Sequence, residues 1–169
     1  KIEFDSINRP TKIVCVGRNY VEHAKELGNE VPKAPLLFLK APSALIRQDE
    51  AIVIPPQSSQ VEHEGELAVI IGRTCKRLHN DDDPFGYVLG YTCLNDVTAR
   101  DIQRKDVQFT RGKSFDTFCP VGPVIETQLD VSDIRVTATV NGVIKQDGLT
   151  SQMVFPVDFL IRYISNMMT

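Results

Sequence analysis

The sequence predicts a mainly β domain with short helices, and three features of the chain predict it. Apolar and often β-branched residues occur in short runs that end at glycine or proline, which is typical of strands. Asn141-Gly142 lies between two runs of alternating apolar and polar residues, the strongest short-range signal for a β-hairpin. A regular parallel sheet is disfavoured because prolines interrupt the early strand-like runs at Pro35, Pro42, Pro55 and Pro56. An irregular all-β or mixed core is therefore expected.

The first part of the chain combines strand signals with two helix signals. Strands are predicted in residues 12–17, 34–40, 43–46, 51–56, 61–72 and 87–96. The first helix is predicted over residues 19–28, with Asn19 as its N-cap and Gly28 as its C-terminal stop. A second helix is expected to start within residues 97–103, because Thr98 and Asp101 have the spacing of a capping box.

The last part of the chain predicts a hairpin followed by a helix. Residues 134–148 alternate around Asn141-Gly142, and residues 155–168 carry apolar side chains at helical spacing, with Pro156 near the first turn. The 169 residues have the length of one ordinary domain, and 42% of them are hydrophobic. One domain is therefore expected.

Charge and composition exclude several classes of partner. The chain has 19 Lys and Arg against 22 Asp and Glu, and no basic run interleaves with aromatic residues, so nucleic acid is not expected. No apolar stretch reaches the ~18 residues that span a bilayer, and the N-terminus has no signal-peptide pattern, so no membrane is expected. The four cysteines lie far apart without a CxxC pair, which favours reduced thiols and a cytoplasmic location.

In the predicted strand over residues 61–72, Glu64 and Glu66 lie two positions apart at the entrance to an apolar run. Side chains two apart in a strand share a face, and both faces of this run become apolar within a few residues. Two buried like charges are costly unless something positive lies between them. The simpler alternative is a solvated strand edge, where such charges resist aggregation.

Asp96 is the best candidate for a third ligand beside Glu64 and Glu66, because it closes a predicted strand just before a helix. Three carboxylates suit Mg²⁺ or Mn²⁺, since these hard cations prefer oxygen ligands. No Cys or His cluster has zinc spacing, so a soft-metal site is disfavoured. A strand-end or helix-cap role would explain Asp96 equally well.

Five further side chains have types that suit catalysis or substrate binding. His23 and Glu26 are three apart on the predicted first helix, so Glu26 can orient His23 as a general base. Lys113 lies in a segment of small and polar residues, from which it can reach a substrate oxygen. Arg100 and Gln103 are three apart after Asp96 and would both point toward a ligand held by the metal. Ordinary solvent-exposed positions are the alternative for all five.

Five spaced motifs resemble the fumarylacetoacetate hydrolase family, in particular its small single-domain members. In chain order the motifs are VCVGRNYVEHAKELG, PLLFLKAPSALI, VEHEGELAVIIG, GYTCLNDVTARDIQ and GKSFDTFCPVGP. Such a series is far more specific than one pair of glutamates. The resemblance covers nearly the whole chain and implies a mixed β-sandwich or β-roll that usually forms a homodimer.

The resemblance also implies the roles of individual residues. The implied ligands of Mg²⁺ or Mn²⁺ are Glu64, Glu66 and Asp96. The implied catalytic residues are His23, Glu26 and Lys113, and the implied substrate-binding residues are Arg100 and Gln103. The cation between the carboxylates would then explain how two glutamates are tolerated at the start of an apolar strand.

The function implied is metal-dependent cleavage of a small 2-oxo or 2,4-dioxo acid, by acylpyruvate hydrolysis, oxaloacetate decarboxylation or both. A bound cation stabilises the enolate that both reactions share, and hydrolysis additionally needs His23 to activate water. Isomerisation or tautomerisation of 2-hydroxy-diene dioates needs the same electron sink and is the alternative reaction. The sequence does not choose among these reactions.

Two hypotheses without catalysis are also compatible with parts of the sequence. A divalent-cation-binding domain would keep the carboxylates but would not need the pair His23 and Glu26. A nucleotide-binding module would need three glycines, and only Gly17 is present.

Family members continue past a helix like residues 155–168 into a segment with a Thr-Gly-Thr-Pro motif, which this chain lacks. Residues 1–169 are therefore expected to form a single catalytic domain without that closing segment.

Overall fold

The structure is a computed structural model that describes residues 1–20 and 31–169. The helix predicted over residues 19–28, together with His23 and Glu26, falls almost entirely outside the described residues. The fold and the site are therefore built from the other elements.

Strands make up most of the regular structure in the described part of the chain. They are β1 (Ile2–Glu3), β2 (Ile13–Gly17), β3 (Leu36–Lys40), β4 (Leu45–Ile46), β5 (Val61–Glu62), β6 (Gly65–Ile71), β7 (Val88–Asn95), β8 (Thr98–Ala99), β9 (Cys119–Pro120), β10 (Val124–Ile125), β11 (Arg135–Val140) and β12 (Val143–Leu149). The helices are α1 (Arg100–Lys105), α2 (Thr110–Lys113) and α3 (Val157–Ser165), with short 3₁₀ turns at Phe4–Ser6, Pro42–Ala44, Pro84–Tyr87 and Thr150–Gln152. The predicted fold class, mainly β with short helices, is confirmed.

The strands pair two by two rather than in one broad sheet. Three antiparallel pairs are long: β2 with β3, β6 with β7, and β11 with β12. The pairs β1 with β10 and β5 with β8 are short and antiparallel, while β4 and β9 are parallel. Isolated bridges such as Leu94 to Val121 connect pairs to one another. The interrupted sheet agrees with the early prolines that disfavour a regular one.

Two clusters of buried apolar side chains hold these pairs together. The larger consists of Phe4, Ala44, Leu45, Val97, Ala99, Ile102, Phe118, Cys119, Val121 and Ile125. The smaller joins α3 to β7 through Cys75, Leu78, Tyr91, Val131, Val157 and Ile161. Val97 and Ala99 of the larger cluster belong to the segment that follows β7, so that segment is held in place by burial.

The hairpin and the last helix are confirmed. Asn141 and Gly142 connect β11 to β12 with positive φ angles of 51° and 78°, as a two-residue hairpin turn of this type requires. Glycine adopts such an angle without steric cost. The predicted helix over residues 155–168 is observed as α3, with Pro156 at its N-cap position.

Three local predictions are wrong or only partly right. Residues 51–56 do not form a strand; the Val53 amide donates to the Thr117 hydroxyl instead, and Pro55 and Pro56 offer no amide hydrogen. Thr98 does not cap a helix, because it pairs with Glu62 between β5 and β8 and its hydroxyl donates to the Asp96 carbonyl. The strand predicted over residues 61–72 is broken before β6, and Glu64 lies at this break.

Among the helices of residues 1–20 and 31–169, none is both long enough and apolar enough to cross a membrane.

Candidate active site

The pairing of β6 with β7 brings Glu64 and Asp96 together. Gly65 lies opposite Asn95, so the residues just outside the ladder, Glu64 and Asp96, face each other, and the Asp96 amide donates to the Glu64 carbonyl at 2.8 Å. Asp96 is only 4% exposed. Two carboxylates that are far apart in the sequence therefore meet where both strands end.

Two lysines contact these carboxylates, and they bind different oxygen atoms of Asp96. Lys113, the last residue of α2, donates through Nζ to Glu64 Oε2 at 2.8 Å and to Asp96 Oδ2 at 2.6 Å. Lys40, the last residue of β3, donates through Nζ to Asp96 Oδ1 at 2.6 Å and to the Val97 carbonyl at 3.2 Å. Both lysines are buried, so their hydrogen bonds to the carboxylates replace those that water would supply.

Arg100, the first residue of α1, extends the network along the other edge of Glu64. Its Nη2 contacts Glu64 Oε1 at 2.5 Å, its Nε donates to Glu62 Oε2 at 2.8 Å, and its Nη1 donates to Gln103 Oε1 at 2.9 Å. Since a guanidinium group presents its donors in a rigid plane, Arg100 orients Glu62, Glu64 and Gln103 relative to one another.

Two glutamates of the 61–72 segment, Glu64 and Glu66, differ in their electrostatics. Burial raises the pKa of the Glu66 carboxyl to about 8, with the charges of Glu64 and Asp96 acting in the same direction. Burial also opposes ionisation of Glu64, but the charges of Lys113 and Arg100 outweigh it and hold the pKa of Glu64 below its usual value. Glu64 is therefore ionised at neutral pH, while Glu66 keeps its proton to a higher pH than an ordinary glutamate does.

We call these groups the charge cluster: Lys40, Glu62, Glu64, Glu66, Asp96, Arg100 and Lys113. It contains four carboxyl groups and three cationic groups, so one more positive charge is needed to balance it when every carboxyl group is ionised. Glu66 is the member for which the described residues supply no ion pair, and burial together with the charges of Glu64 and Asp96 raises its pKa.

The donor chemistry of the charge cluster fits a hard divalent cation, whereas its present arrangement does not form a ligand set. Glu64, Glu66 and Asp96 offer only oxygen atoms, as Mg²⁺ and Mn²⁺ prefer. Within residues 1–20 and 31–169, no three Asp, Glu, His or Cys side chains are arranged to hold a metal ion. The reason is visible at Lys113, whose ammonium group donates to both Glu64 and Asp96. A cation bound there has to displace that ammonium group.

Most site residues predicted from the sequence are brought together. Hydrogen bonds or ion pairs join Glu64, Asp96, Arg100, Gln103 and Lys113 in one network, and the charges of Glu64 and Asp96 act on Glu66. The other two predicted catalytic residues, His23 and Glu26, lie outside the described residues.

Sequence reasoning missed three residues at this site: two that belong to the network and one that binds the backbone beside it. Lys40 ends an apolar strand, the same signal that points to Asp96. Glu62 comes two residues before Glu64 and accepts from Arg100. Gln146, on β12, makes two hydrogen bonds to Gly65. No local pattern identifies Gln146, because it lies 81 positions from its partner.

A cavity of about 790 Å³ lies elsewhere, between β7 and α3. Its lining includes Tyr91, Leu129 and Val157 but no member of the charge cluster. The candidate active site is therefore identified by its buried, mutually interacting charges rather than by the size of a cavity.

Comparison with known proteins places these features in context. The model of the family described as fumarylacetoacetate hydrolase, C-terminal, matches residues 12–169. An uncharacterized protein of Methanocaldococcus jannaschii is 48% identical to this chain over 169 residues, which is 98% of this chain and 71% of that protein. The human mitochondrial oxaloacetate tautomerase is 44% identical over 168 residues, which is 96% of this chain and 53% of the human protein.

A solved structure has the same fold. It is the 5-carboxymethyl-2-hydroxymuconate delta-isomerase of Mycobacterium smegmatis, with 43% sequence identity and a TM-score of 0.86. The match covers 95% of this chain and 63% of the mycobacterial chain. The present chain thus spans about half to three quarters of the length of these relatives.

Proposed function

The chain belongs to the fumarylacetoacetate hydrolase family, and from this premise we propose that it converts small 2-oxo acids through their enol form. The proposed reaction is keto–enol tautomerisation, or the related isomerisation, of a 2-oxo dicarboxylic acid such as oxaloacetate. The observation that carries the proposal is the buried contact of Lys113 with Glu64 and Asp96, which puts a cationic donor beside two of the expected metal ligands. A cationic donor in such a site is suited to stabilise negative charge that develops on a substrate oxygen.

We propose that Glu64, Glu66 and Asp96 hold one Mg²⁺ or Mn²⁺ ion. When bound, this ion would supply Lewis-acid stabilisation of the enolate form of the substrate. Two observations support the ligand set: the three carboxyl groups influence one another electrostatically, and the cluster has one positive charge fewer than its carboxyl groups require. Deprotonation of Glu66 would accompany binding, since a carboxyl ligand must be ionised.

The lysine and arginine of the cluster would then take new partners. Lys113, released from Glu64 and Asp96, would donate to the oxygen atom of the substrate on which charge develops. Arg100 would bind a substrate carboxylate through two parallel hydrogen bonds, which guanidinium groups favour. Gln103 accepts from Arg100 Nη1 and would keep its plane fixed. Lys40 would remain on Asp96 and hold that carboxylate in place.

Proton transfer to carbon completes a tautomerisation, because a proton leaves the enol oxygen while another joins the neighbouring carbon. His23, oriented by Glu26, has the chemistry of the general acid and base for this step. This assignment rests on the sequence, since both residues lie outside the described ones.

Acylpyruvate hydrolysis and oxaloacetate decarboxylation form the second candidate. Both need the same stabilisation of an enolate, and hydrolysis also needs an activated water molecule, for which His23 and Glu26 are suitable residue types. We rank tautomerisation first because the human relative is named for it and the mycobacterial structure is named as an isomerase. The homodimer and the cytoplasmic location expected from the sequence stay predictions.

The experiment that tests the proposal follows three reactions side by side with the purified protein. Oxaloacetate tautomerisation is measured by the absorbance of the enol, with Mg²⁺ and after its removal by a chelator, and decarboxylation and acetylpyruvate hydrolysis are assayed in parallel. We expect metal-dependent tautomerisation that Glu66→Ala abolishes and that Lys113→Met slows by about 10²–10³-fold, the usual loss for one such donor.

Lys105→Met is the matched control, because Lys105 is an exposed lysine at the end of the neighbouring helix α1. It should leave the rate unchanged. Tautomerisation that persists without metal, or at the wild-type rate in Glu66→Ala, would overturn the proposed site. Hydrolysis faster than tautomerisation would replace the first candidate with the second.

A further inference from the structure

We infer that Gln146, on the solvent-facing β11–β12 hairpin, is a positioning residue that sets the geometry of Glu64 and Glu66. Its side-chain amide makes two hydrogen bonds to Gly65, the residue between these two glutamates. The inference rests on the proposed function, since it concerns the two carboxylates that would bind the cation. It adds a residue from a separate part of the chain to the machinery of that site.

The contact between Gln146 and Gly65 has two points. The Gly65 amide donates to Gln146 Oε1 at 2.7 Å, and Gln146 Nε2 donates to the Gly65 carbonyl at 2.5 Å. In an antiparallel pair every second residue directs its N–H and C=O away from its partner strand. Gly65 is such a residue opposite Asn95, and Gln146 occupies the place that a third strand would take. Two bonds to one residue fix its orientation, whereas one bond would allow rotation.

The hairpin is shaped to make this contact. Gln146 lies opposite Ala138, and cross-strand partners of this kind lie on the same face of the pair. The register between β11 and β12 shifts immediately after Ala138, because Lys145 is an extra residue on β12. A Cβ atom added to Gly65 would lie 3.3 Å from the Ala138 Cβ and 3.4 Å from Gln146 Oε1. The small residues at 65 and 138 therefore permit the close approach.

On its other side, the backbone of Glu64 and Gly65 is held by residues at the end of β7. The Glu64 amide donates to Asn95 Oδ1 at 3.0 Å, and the Asp96 amide donates to the Glu64 carbonyl at 2.8 Å. With Gln146 on the opposite side, the backbone of Glu64 and Gly65 is held from both edges. Rotation of the Gly65 backbone would move the carboxyl groups of Glu64 and Glu66 relative to each other, so Gln146 limits the spread of geometries at the site.

Groups that orient metal ligands without touching the metal affect its affinity by about 10–100-fold. We therefore expect Gln146→Met, which keeps the length of the side chain but has no amide, to weaken Mn²⁺ binding by about that factor. Gln146→Glu is the second variant: it can still accept from the Gly65 amide but cannot donate to the carbonyl, and an intermediate loss is expected. Lys145→Met, at the exposed neighbouring position, is the matched control and should bind Mn²⁺ as the wild type does.

The experiment has three readouts on the same set of proteins. Calorimetry gives the Mn²⁺ affinity, thermal unfolding of the metal-free proteins gives their stability, and hydrogen exchange of the Gly65 amide, followed by NMR, reports the contact itself. The inference predicts faster exchange at Gly65 in both Gln146 variants and weaker Mn²⁺ binding at a melting temperature close to that of Lys145→Met. A general loss of stability alone would not produce this combination.

The failure of this inference and that of the proposed function are distinguishable. If Glu66→Ala loses Mn²⁺ binding while Gln146→Met keeps the wild-type affinity, the positioning role is overturned and the proposed site stands. An equal loss of affinity in Lys145→Met would also overturn the role, because it would show a general effect of the hairpin. If the wild type binds no Mn²⁺, the proposed function fails. Independently of that result, unchanged hydrogen exchange at Gly65 in Gln146→Met would show that the contact is absent and would overturn the inference.

Discussion

The charge cluster and the β11–β12 hairpin each contain a carboxylate that a lysine or arginine side chain contacts at the same distance. The surroundings of these two ion pairs differ. Lys40 Nζ lies 2.6 Å from Asp96 Oδ1, and both side chains are almost fully buried, with exposures of 0% and 6%. Arg135 Nε on the hairpin also lies 2.6 Å from Asp147 Oδ1, but these side chains are 65% and 40% exposed. The two contacts are equal in length and differ in the water around them.

The comparison shows that distance alone does not measure what an ion pair contributes. Water competes for both partners of the hairpin pair, so little is lost when one is removed. Little water reaches Asp96, and removing one of its two lysine partners leaves part of its charge uncompensated in a medium that solvates it poorly. The same lack of water strengthens every electrostatic interaction that the charge cluster makes with a bound substrate. Burial thus makes the stability of the protein sensitive to mutations in the cluster, and it also strengthens the interactions of the cluster with a bound substrate.

The largest expected effect is that of breaking the buried pair. Lys40→Met should lower the free energy of unfolding of the metal-free protein by about 3–5 kcal/mol, because it leaves Asp96 with one buried cation instead of two. Denaturation in urea at neutral pH measures the change. Arg135→Met is the exposed counterpart and should change stability far less. Losses of similar size in the two variants would mean that burial does not decide how much an ion pair contributes.

A smaller effect is expected in the pH dependence of stability. The pKa of Glu66 is raised from 4.5 to about 8 in the folded protein. Between these values the folded state keeps a proton that the unfolded state has released, so the contribution of Glu66 to stability is largest below pH 4.5 and is lost as the pH rises to about 8. Glu66→Gln cannot ionise and should remove this decline from the metal-free protein.

The measurement is a series of melting temperatures between pH 4.5 and 8, with a chelator present, for the wild type and Glu66→Gln. Asp147 on the hairpin has the opposite tendency, since the hydrogen bond from Arg135 lowers its pKa and its contribution is lost as the pH falls. Asp147→Asn therefore serves as the control and should leave the decline toward pH 8 in place. An identical decline in Glu66→Gln and the wild type would mean that another group causes it.

Short-range patterns predict the parts of this molecule that depend on neighbours in sequence. The hairpin follows from Asn141-Gly142, and Asp96 is identified because it comes directly after an apolar strand. The family resemblance supplies the link between Glu64, Asp96 and Lys113, which no local rule contains. Their convergence depends on the register of β6 with β7 and on the position of α2.

The errors arise where a distant partner outweighs a local signal. The capping box at Thr98 and Asp101 is lost because Thr98 pairs with Glu62 and Asp101 binds the hydroxyl groups of Ser58 and Ser59. At Lys40 the strand-end signal does not identify the partner, which lies 56 positions away, and no local pattern marks Gln146, whose partner lies 81 positions away. Tertiary contacts determine the conformation at these positions, and secondary-structure propensity does not include such contacts.

The smallest expected effect is that of the exposed pair Arg135–Asp147. It tests whether an exposed ion pair contributes little to stability. A double-mutant cycle with Arg135→Met and Asp147→Asn should show a coupling that is barely measurable in low salt, because both side chains are solvated when they separate. At about 1 M salt the screening length falls to about 3 Å, so even this coupling should vanish. The effect of Lys40→Met should persist in the same salt, because ions do not reach a buried pair. A hairpin coupling that is large and insensitive to salt would show that exposure does not separate these two ion pairs.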